Sequence, residues 1–279
     1  MPITGGVKFF DRSNCLAMDG TTAVASTGNA SGLRALDRNP VTYWRTVGSN
    51  DATTETFEVT FTEAKTINRV FLVDHNFKDF MVQYDVAGVW TDFTSVVGVD
   101  GALTGIQQTG YSKDTSYYEV AQVSTNKVLL TITTTQGVDA EKYLNQLIVT
   151  SELGTLVGYP GIAGSEFSKN LRVQKMLSGR ALIMKSDEFF QMDLRFQDYP
   201  SSLSADIDLM FSLHDRDDNF LVWPCGGRYG SAYFRKTLRG FRLRDVMAMQ
   251  VDSSIKPSYS KNIYTGQVNF TVSLSEDVQ

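Results

Sequence analysis

The chain has 279 residues, of which 42% are hydrophobic and 20% are charged, and its net charge is −5 at pH 7. This length suits two domains of about 100–150 residues each. The acidic balance excludes bulk attraction to nucleic acid or to an anionic membrane surface, and no apolar run approaches the roughly 20 residues of a transmembrane helix. Cysteine occurs only at Cys15 and Cys225, and histidine only at His75 and His214. We therefore expect no disulfide framework, no zinc site and no histidine-based proton shuttle.

The first half of the chain carries strand patterns. Its opening segment, Met1–Gly6, has no basic stretch followed by an apolar one, so no secretory signal is predicted. In Thr56–Phe61, apolar and polar residues alternate with the period of two that a half-buried antiparallel strand requires. Arg69–Val73 and Met81–Val86 are further strand-like runs, and the β-branched run Val128–Thr135 predicts another strand. The first half is therefore predicted to be all-β.

The segment Ala35–Trp44 is the most informative motif of the chain. Its sequence, ALDRNPVTYW, places a carboxylate, an amide, a hydroxyl and a large aromatic ring around a proline turn. With the strands that follow it, the motif resembles the corresponding loop of the discoidin, or coagulation factor V/VIII type C, family. The resemblance covers roughly residues 15–150 and implies a jelly-roll β-sandwich in which Trp44 plugs one end of the core. It also implies a domain that binds surfaces or glycans and carries out no chemistry.

The same resemblance implies a calcium site beside this loop. Asp37 and Thr42 match ligands of the family, and Asn39 is a candidate carbonyl donor. Calcium takes six to eight oxygen ligands and prefers more than one anionic ligand, but Gln146 stands where the family has a glutamate. The alternative is that Asp37 only caps the loop by hydrogen bonds to backbone amides, as in an Asx turn. No other cofactor is predicted.

A sugar site on a β-sandwich needs an aromatic platform and a few polar groups. Trp44, Arg45 and Trp90 provide these types and are the candidate glycan-binding residues, with Tyr43 beside them. Core packing is the alternative for both tryptophans. Trp44 stands at the family's core-plug position, and Trp90 follows a predicted hairpin turn.

The glycine- and proline-containing stretch 153–164 is predicted to link a first domain, residues 1–152, to a second, residues 165–279. In the second domain, Phe190–Gln197 and Val268–Ser275 alternate apolar and polar residues as strands do. Between them, apolar residues recur at spacings of three and four from about 202 to 215, which predicts one amphipathic α-helix. The second domain is therefore predicted to be a β-sandwich flanked by that helix.

A sandwich with one flanking helix resembles the tube-forming domain of tail and baseplate proteins of tailed phages. Arg239–Val246 and Pro257–Gly266 also resemble segments of distal tail proteins, and the resemblance covers roughly residues 160–279. It implies a structural virion protein, made in the host cytoplasm and located in the tail, that closes into a homo-oligomeric ring. Its partners would be other tail or baseplate proteins, with DNA passing through the channel and no membrane. The discoidin-like domain would face outward, for assembly or for contact with host-surface glycans.

A cluster of charged residues in the second domain is predicted to lie at the subunit interface of this ring. Arginine forks match carboxylates well, whereas phosphate contacts need a dense basic face. Residues 151–279 carry as many acidic as basic groups, which favours pairing between subunits. The alternatives are a surface that lines the DNA channel and a solvated surface. The predicted interface residues are Arg235, Arg239, Arg242, Arg244, Asp215 and Asp217.

No motif predicts an enzyme. Asp215–Asn219 superficially resembles a calcium loop but lacks the glycine and the distant glutamate of an EF-hand, and no nucleophile elbow or His–Glu metal motif occurs. Paired carboxylates of a glycosidase leave no spacing signature, so glycosidase chemistry stays open, although the scarcity of histidine and the all-β pattern give it little support. An accessory fragment of a carbohydrate-active enzyme is a third hypothesis. The first functional hypothesis is a ring component of a phage tail or baseplate. The alternative is a carbohydrate-binding lectin or adhesin with a discoidin-like domain.

Overall fold

The structure is a computed structural model of the chain. It describes residues 6–11, 20–37, 42–97, 106–112, 114–157, 161–175, 181–199, 208–209, 212–213, 220–226, 247–251, 258–261 and 268–276. Antiparallel strands dominate these ranges, which confirms the predicted all-β class. No helix within them is long and apolar enough to cross a membrane. The chain divides into a first unit, Asp11–Glu152, and a second unit, Met1–Phe10 with Leu153–Gln279.

The described strands are numbered in chain order, and a 3-10 helix, Asn29–Ala35, lies between the second and the third. The strands are β1 (Gly6–Asp11), β2 (Thr22–Ala25), β3 (Trp44–Arg45), β4 (Glu55–His75), β5 (Phe77–Val86), β6 (Val89–Asp92), β7 (Ser95–Val97), β8 (Ile106–Gln108), β9 (Thr115–Thr135), β10 (Tyr143–Thr150), β11 (Glu152–Val157), β12 (Gly161–Lys175), β13 (Ala181–Tyr199), β14 (Phe220–Gly226), β15 (Met247–Val251), β16 (Ser258–Lys261) and β17 (Val268–Glu276).

The first unit is built on two long strands, β4 and β9, that pair along most of their length. Its strand order is β3-β10-β4-β9-β5-β6, with β2 also paired to β4, β7 to β9 and β8 to β5. The β4–β9 register shifts between Thr60 and Lys65 and again between Ile67 and Arg69. Such irregularities bend a strand. The early part of β4 thus pairs with β2, and its last part pairs with β10.

The core of the first unit collects the apolar faces of these strands. Phe57 and Val59 of β4 are fully buried, as their alternation with polar residues predicts. Trp44 is also fully buried, and its ring centroid lies 4.9 Å from that of Phe57. The indole Nε1–H donates to the carbonyl of Thr27 at 3.2 Å. The buried N–H of the tryptophan therefore has a hydrogen-bond partner. Trp44 therefore occupies the core, as the discoidin resemblance implies.

The second unit contains an eight-stranded sheet of order β11-β1-β14-β15-β17-β13-β12, with β16 paired to β17. The predicted strands Phe190–Gln197 and Val268–Ser275 lie inside β13 and β17, which pair with each other. The predicted linker, 153–164, stays a prediction. Its described residues belong to β11 and β12, because pairing with distant strands overrides the glycine content of the segment.

Several predictions for the second unit fall only partly within the described residues. Residues 208–209 and 212–213 are helical, in agreement with the helix predicted at about 202–215, and the rest of that helix lies outside the described ranges. The predicted interface residues also lie outside them: Arg235, Arg239, Arg242, Arg244, Asp215 and Asp217.

Candidate functional site

Three side chains meet on the surface where β3 pairs with β10. In this pairing Arg45 lies opposite Tyr143, and Trp44 lies opposite Leu144. Because successive side chains of a strand point to opposite faces, the burial of Trp44 turns its neighbours Tyr43 and Arg45 outward. Arg45 is exposed, and both tyrosines are half-buried.

The guanidinium group of Arg45 lies over both tyrosine rings. Its Cζ lies 5.3 Å from the ring centroid of Tyr43 and 5.2 Å from that of Tyr143. The two rings contact each other edge to face, with centroids 5.7 Å apart and an interplanar angle of 85°. Both distances from Arg45 are within the roughly 6 Å of a cation–π contact. We call Tyr43, Arg45 and Tyr143, with the supporting Asp74, the tyrosine–arginine surface.

The turn between β4 and β5 fixes both tyrosines. Asp74 accepts a hydrogen bond from the Tyr43 hydroxyl at 2.7 Å. The Oδ1 of Asn76 accepts the main-chain N–H of Tyr143 at 3.0 Å, and its Nδ2 donates to the carbonyl of Glu141 at 2.8 Å. Asp74 has a φ of 51°, a left-handed conformation that aspartate adopts more readily than most residues. Asp74 thus holds the ring of Tyr43, and Asn76 holds the main chain of Tyr143.

His75, between these two residues, points into the core. It is 1% exposed, stacks on Phe77 and Tyr111, and accepts the main-chain N–H of Phe77 at Nδ1. Burial lowers the pKa of His75 to about 3, and the negative charge of Asp114 opposes this only in part. The ring is therefore neutral at neutral pH. Its role is to pack beneath the turn.

Gly28 supports Arg45 from the backbone side. Its φ is 70°, and a Cβ atom there would lie 1.9 Å from the carbonyl oxygen of Arg45. Only glycine fits such a close approach in a left-handed conformation. Ser31 donates to the carbonyl of Gly28 at 2.9 Å and accepts the main-chain N–H of Arg45 at 3.4 Å. The turn before the 3-10 helix thus positions β3.

The predicted glycan site of Trp44, Arg45 and Trp90 is not one site in the structure. Arg45 lies on the surface, but Trp44 is buried beneath it and has no face for a sugar. Trp90 lies in β6, opposite Asp85, near the far end of β5. About 25 Å of β5 separates it from the β4–β5 turn, at roughly 3.3 Å per residue. The turn before it, at Ala87 and Gly88, has φ values of 52° and 88°, in agreement with the predicted hairpin.

Sequence reasoning missed Tyr143 and Asp74. The polar triplet from Asp74 to Asn76 interrupts two apolar strand runs, which is a signal that it lies at a turn. Tyr143 opens a strand whose next residue, Leu144, is buried. No local pattern connects either residue with Arg45.

Two of the predicted calcium ligands, Asp37 and Thr42, lie together, and the calcium site itself stays a prediction. The Thr42 hydroxyl donates to both carboxylate oxygens of Asp37, at 2.9 and 2.8 Å. Asn145, rather than Gln146, reaches this loop, and its Nδ2 donates to the Thr42 carbonyl at 2.6 Å. Asp37 is thus the one carboxylate of the set, whereas calcium prefers more. The described part of the chain contains no group of three or more His, Cys, Asp or Glu placed to hold a metal. Asn39 lies outside it, and its role stays a prediction.

No protein-family model and no curated protein matches the chain. Solved structures similar to it include SpGH29, at 18% identity and a TM-score of 0.38, over 50% of this chain and 28% of that one. Chitosan-binding module 1 of a chitosanase/glucanase from Paenibacillus sp. IK-5 is 20% identical, with a TM-score of 0.37, over 48% of this chain and 96% of the module. The family 32 carbohydrate-binding module of C. perfringens NanJ, solved with galactose, is 15% identical, with a TM-score of 0.39, over 52% of this chain and 99% of the module.

The structural neighbours thus include carbohydrate-binding modules that match about half of this chain. None of the three proteins is described as a phage tail or baseplate protein. The interpretation of residues 160–279 as a tail-tube domain has no support from these similar structures and stays a prediction. The expectation that the chain is not an enzyme also stays a prediction.

Proposed function

We propose that the first unit is a carbohydrate-binding module and that the tyrosine–arginine surface is its binding site. The observation that supports this is the exposed side chain of Arg45, whose guanidinium lies over the half-buried rings of Tyr43 and Tyr143. Aromatic faces and a small number of fixed polar groups are what a sugar site requires. This is the carbohydrate-binding alternative drawn from the sequence, with a different set of residues.

Each group of the surface has a role in this proposal. The tyrosine rings offer apolar area against which the C–H face of a sugar ring packs. Arg45 offers N–H donors in a planar fork to the sugar oxygens. Asp74 holds Tyr43 through its hydroxyl and is 9% exposed, so its role is to position the ring.

Preorganisation is the second support. Tyr43 is held by Asp74, the main chain of Tyr143 by Asn76, and the main chain of Arg45 by Ser31. A side chain that is already ordered loses little conformational entropy on binding. Immobilising a free side chain with many rotamers costs about 0.5–1.5 kcal/mol of binding free energy. A small surface of this kind therefore supports measurable affinity, and it does so without a reaction step.

A glycan array with the full chain tests the proposal. We expect binding that is lost in Arg45→Ala and in Tyr143→Ala and retained in Trp90→Ala, which lies far along β5. Near-UV circular dichroism would check that each variant is folded. Loss of binding in Trp90→Ala with retention in Arg45→Ala would instead support the site predicted from the sequence. Failure of the folded parent chain to bind any glycan would contradict the proposed function.

A further inference from the structure

We propose that the sugar recognised by this surface carries a carboxylate, as uronic and sialic acids do, and that Arg45 binds this carboxylate through two parallel hydrogen bonds. The inference rests on the proposed function and names its class of ligand. The tyrosine–arginine surface is thus a site for acidic glycans.

Arg45 differs from Arg69 and Lys127 of the first unit in having no described carboxylate partner. Arg69 forms ion pairs with Glu152 and, at 3.8 Å, with Glu119. Lys127 pairs with Glu58 at 3.1 Å. Within the described ranges no carboxylate lies within 4.0 Å of the Arg45 guanidinium, whose contacts are two tyrosine rings. The site therefore holds a positive charge in place and leaves it unneutralised.

The way in which Arg45 is held leaves its hydrogen-bonding edge available. The side chain of Arg45 is exposed and donates no hydrogen bond to a described residue, so N–H donors in the plane of its guanidinium are open to a ligand. A carboxylate matches two of these donors at once, and such charge-assisted pairs are about twice as strong as neutral hydrogen bonds. Sugar hydroxyls are neutral, and a single hydroxyl does not present two parallel acceptor oxygens. The fork therefore favours an acidic sugar over a neutral one of the same shape.

Of the neighbouring charged groups, Asp74 and Lys142 already have hydrogen-bond partners. Asp74 is nearly buried and bonded to the Tyr43 hydroxyl. Lys142, next to Tyr143, is fully buried, and its Nζ donates to the carbonyl of Asn50 at 2.7 Å, so it does not compete for the ligand. Glu141 is exposed and adds a negative charge nearby. Because the whole chain has a net charge of −5, attraction of an anionic glycan depends on Arg45 at short range.

The test compares ligands that differ only in the carboxylate. Isothermal titration calorimetry of the full chain would use oligogalacturonides against their methyl esters, and sialyllactose against lactose, so that the two pairs distinguish uronic from sialic acids. We expect one of the acids to bind about 10- to 100-fold more tightly than its neutral partner. Arg45→Gln should abolish this preference, and Arg45→Lys, which keeps the charge but not the fork, should reduce it to a few-fold. Trp90→Ala is the control and should leave it unchanged.

Two results would overturn the inference in distinguishable ways. Equal affinity for acid and neutral partner, with binding still lost in Arg45→Ala, would exclude the acidic class and leave the carbohydrate-binding function standing. An acid preference that survives Arg45→Gln would place the carboxylate elsewhere on the unit. Absence of binding to these ligands and to a full glycan array would contradict both proposals.

Discussion

Acid is expected to destabilise the first unit through His75. The side chain is 1% exposed, lies between Phe77 and Tyr111, and donates no hydrogen bond from Nε2 to any described residue. Burial lowers the pKa of His75 from 6.5 to about 3 in the folded unit. The unfolded chain binds a proton there below pH 6.5, whereas the folded unit does not until about pH 3. Protonation therefore favours the unfolded state in the window between these two values.

The expected magnitude follows from the two pKa values. The free energy of unfolding falls as the pH falls through this window, by up to about 1.4 kcal/mol for each pH unit. Between pH 7.5 and pH 5 the His75 contribution is a loss of about 2 kcal/mol, and at pH 4 the loss is about 3 kcal/mol. A domain whose total stability is about 5–15 kcal/mol would show this clearly.

Urea unfolding of the full chain at pH 7.5 and pH 5 measures the effect. All variants carry Trp223→Phe, so that the two remaining tryptophans, Trp44 and Trp90, both lie in the first unit. Tryptophan fluorescence then follows the unfolding of that unit alone. His75→Asn keeps an acceptor for the Phe77 N–H and removes the titration. This variant should be less stable at pH 7.5, because ring contacts are lost, but its loss on going to pH 5 should be smaller by about 2 kcal/mol.

The other histidine of the chain provides the control. His214 belongs to the second unit. The substitution His214→Asn should therefore leave the pH dependence of the first unit's stability unchanged. If His75→Asn lost as much stability between pH 7.5 and pH 5 as its parent, the argument from a buried neutral imidazole would be refuted.

Three further predictions concern the loop, the metal and the assembly. Gly28→Ala should destabilise the unit by more than Gly48→Ala and should weaken glycan binding. Both glycines have a φ of 70°, but only at Gly28 would a Cβ meet the Arg45 carbonyl. Equal losses of unfolding free energy for the two variants in urea would contradict this. Gly48→Ala itself should cost only the left-handed strain, about 1–2 kcal/mol. Calcium or a chelator should not change the melting temperature, since Asp37 is the one carboxylate among the predicted calcium ligands Asp37, Asn39 and Thr42. A rise of several degrees with calcium would support the predicted calcium site. Light scattering after size-exclusion chromatography tests the phage-tail prediction, which expects a ring, and a monomer at high concentration would exclude it.

The local patterns of the sequence predicted the elements whose burial follows a simple period. Phe57 and Val59 are buried in β4 because alternate residues of a strand face the same side. The motif around Trp44 predicted a buried tryptophan, and the ring indeed packs on Phe57. These properties depend on neighbours along the chain, so sequence alone was enough for them.

The partners of Arg45 depend on pairings between distant segments. Tyr143 faces Arg45 only because β3 pairs with β10, and Asp74 approaches only because β10 pairs with β4. Such registers are set by the packing of a whole core, in which a shift of one residue would move every side chain to the opposite face. The same cause placed Trp90 in β6, opposite Asp85 near the far end of β5. The tertiary structure therefore decided which residues form the binding surface, because no local period encodes which strands become neighbours.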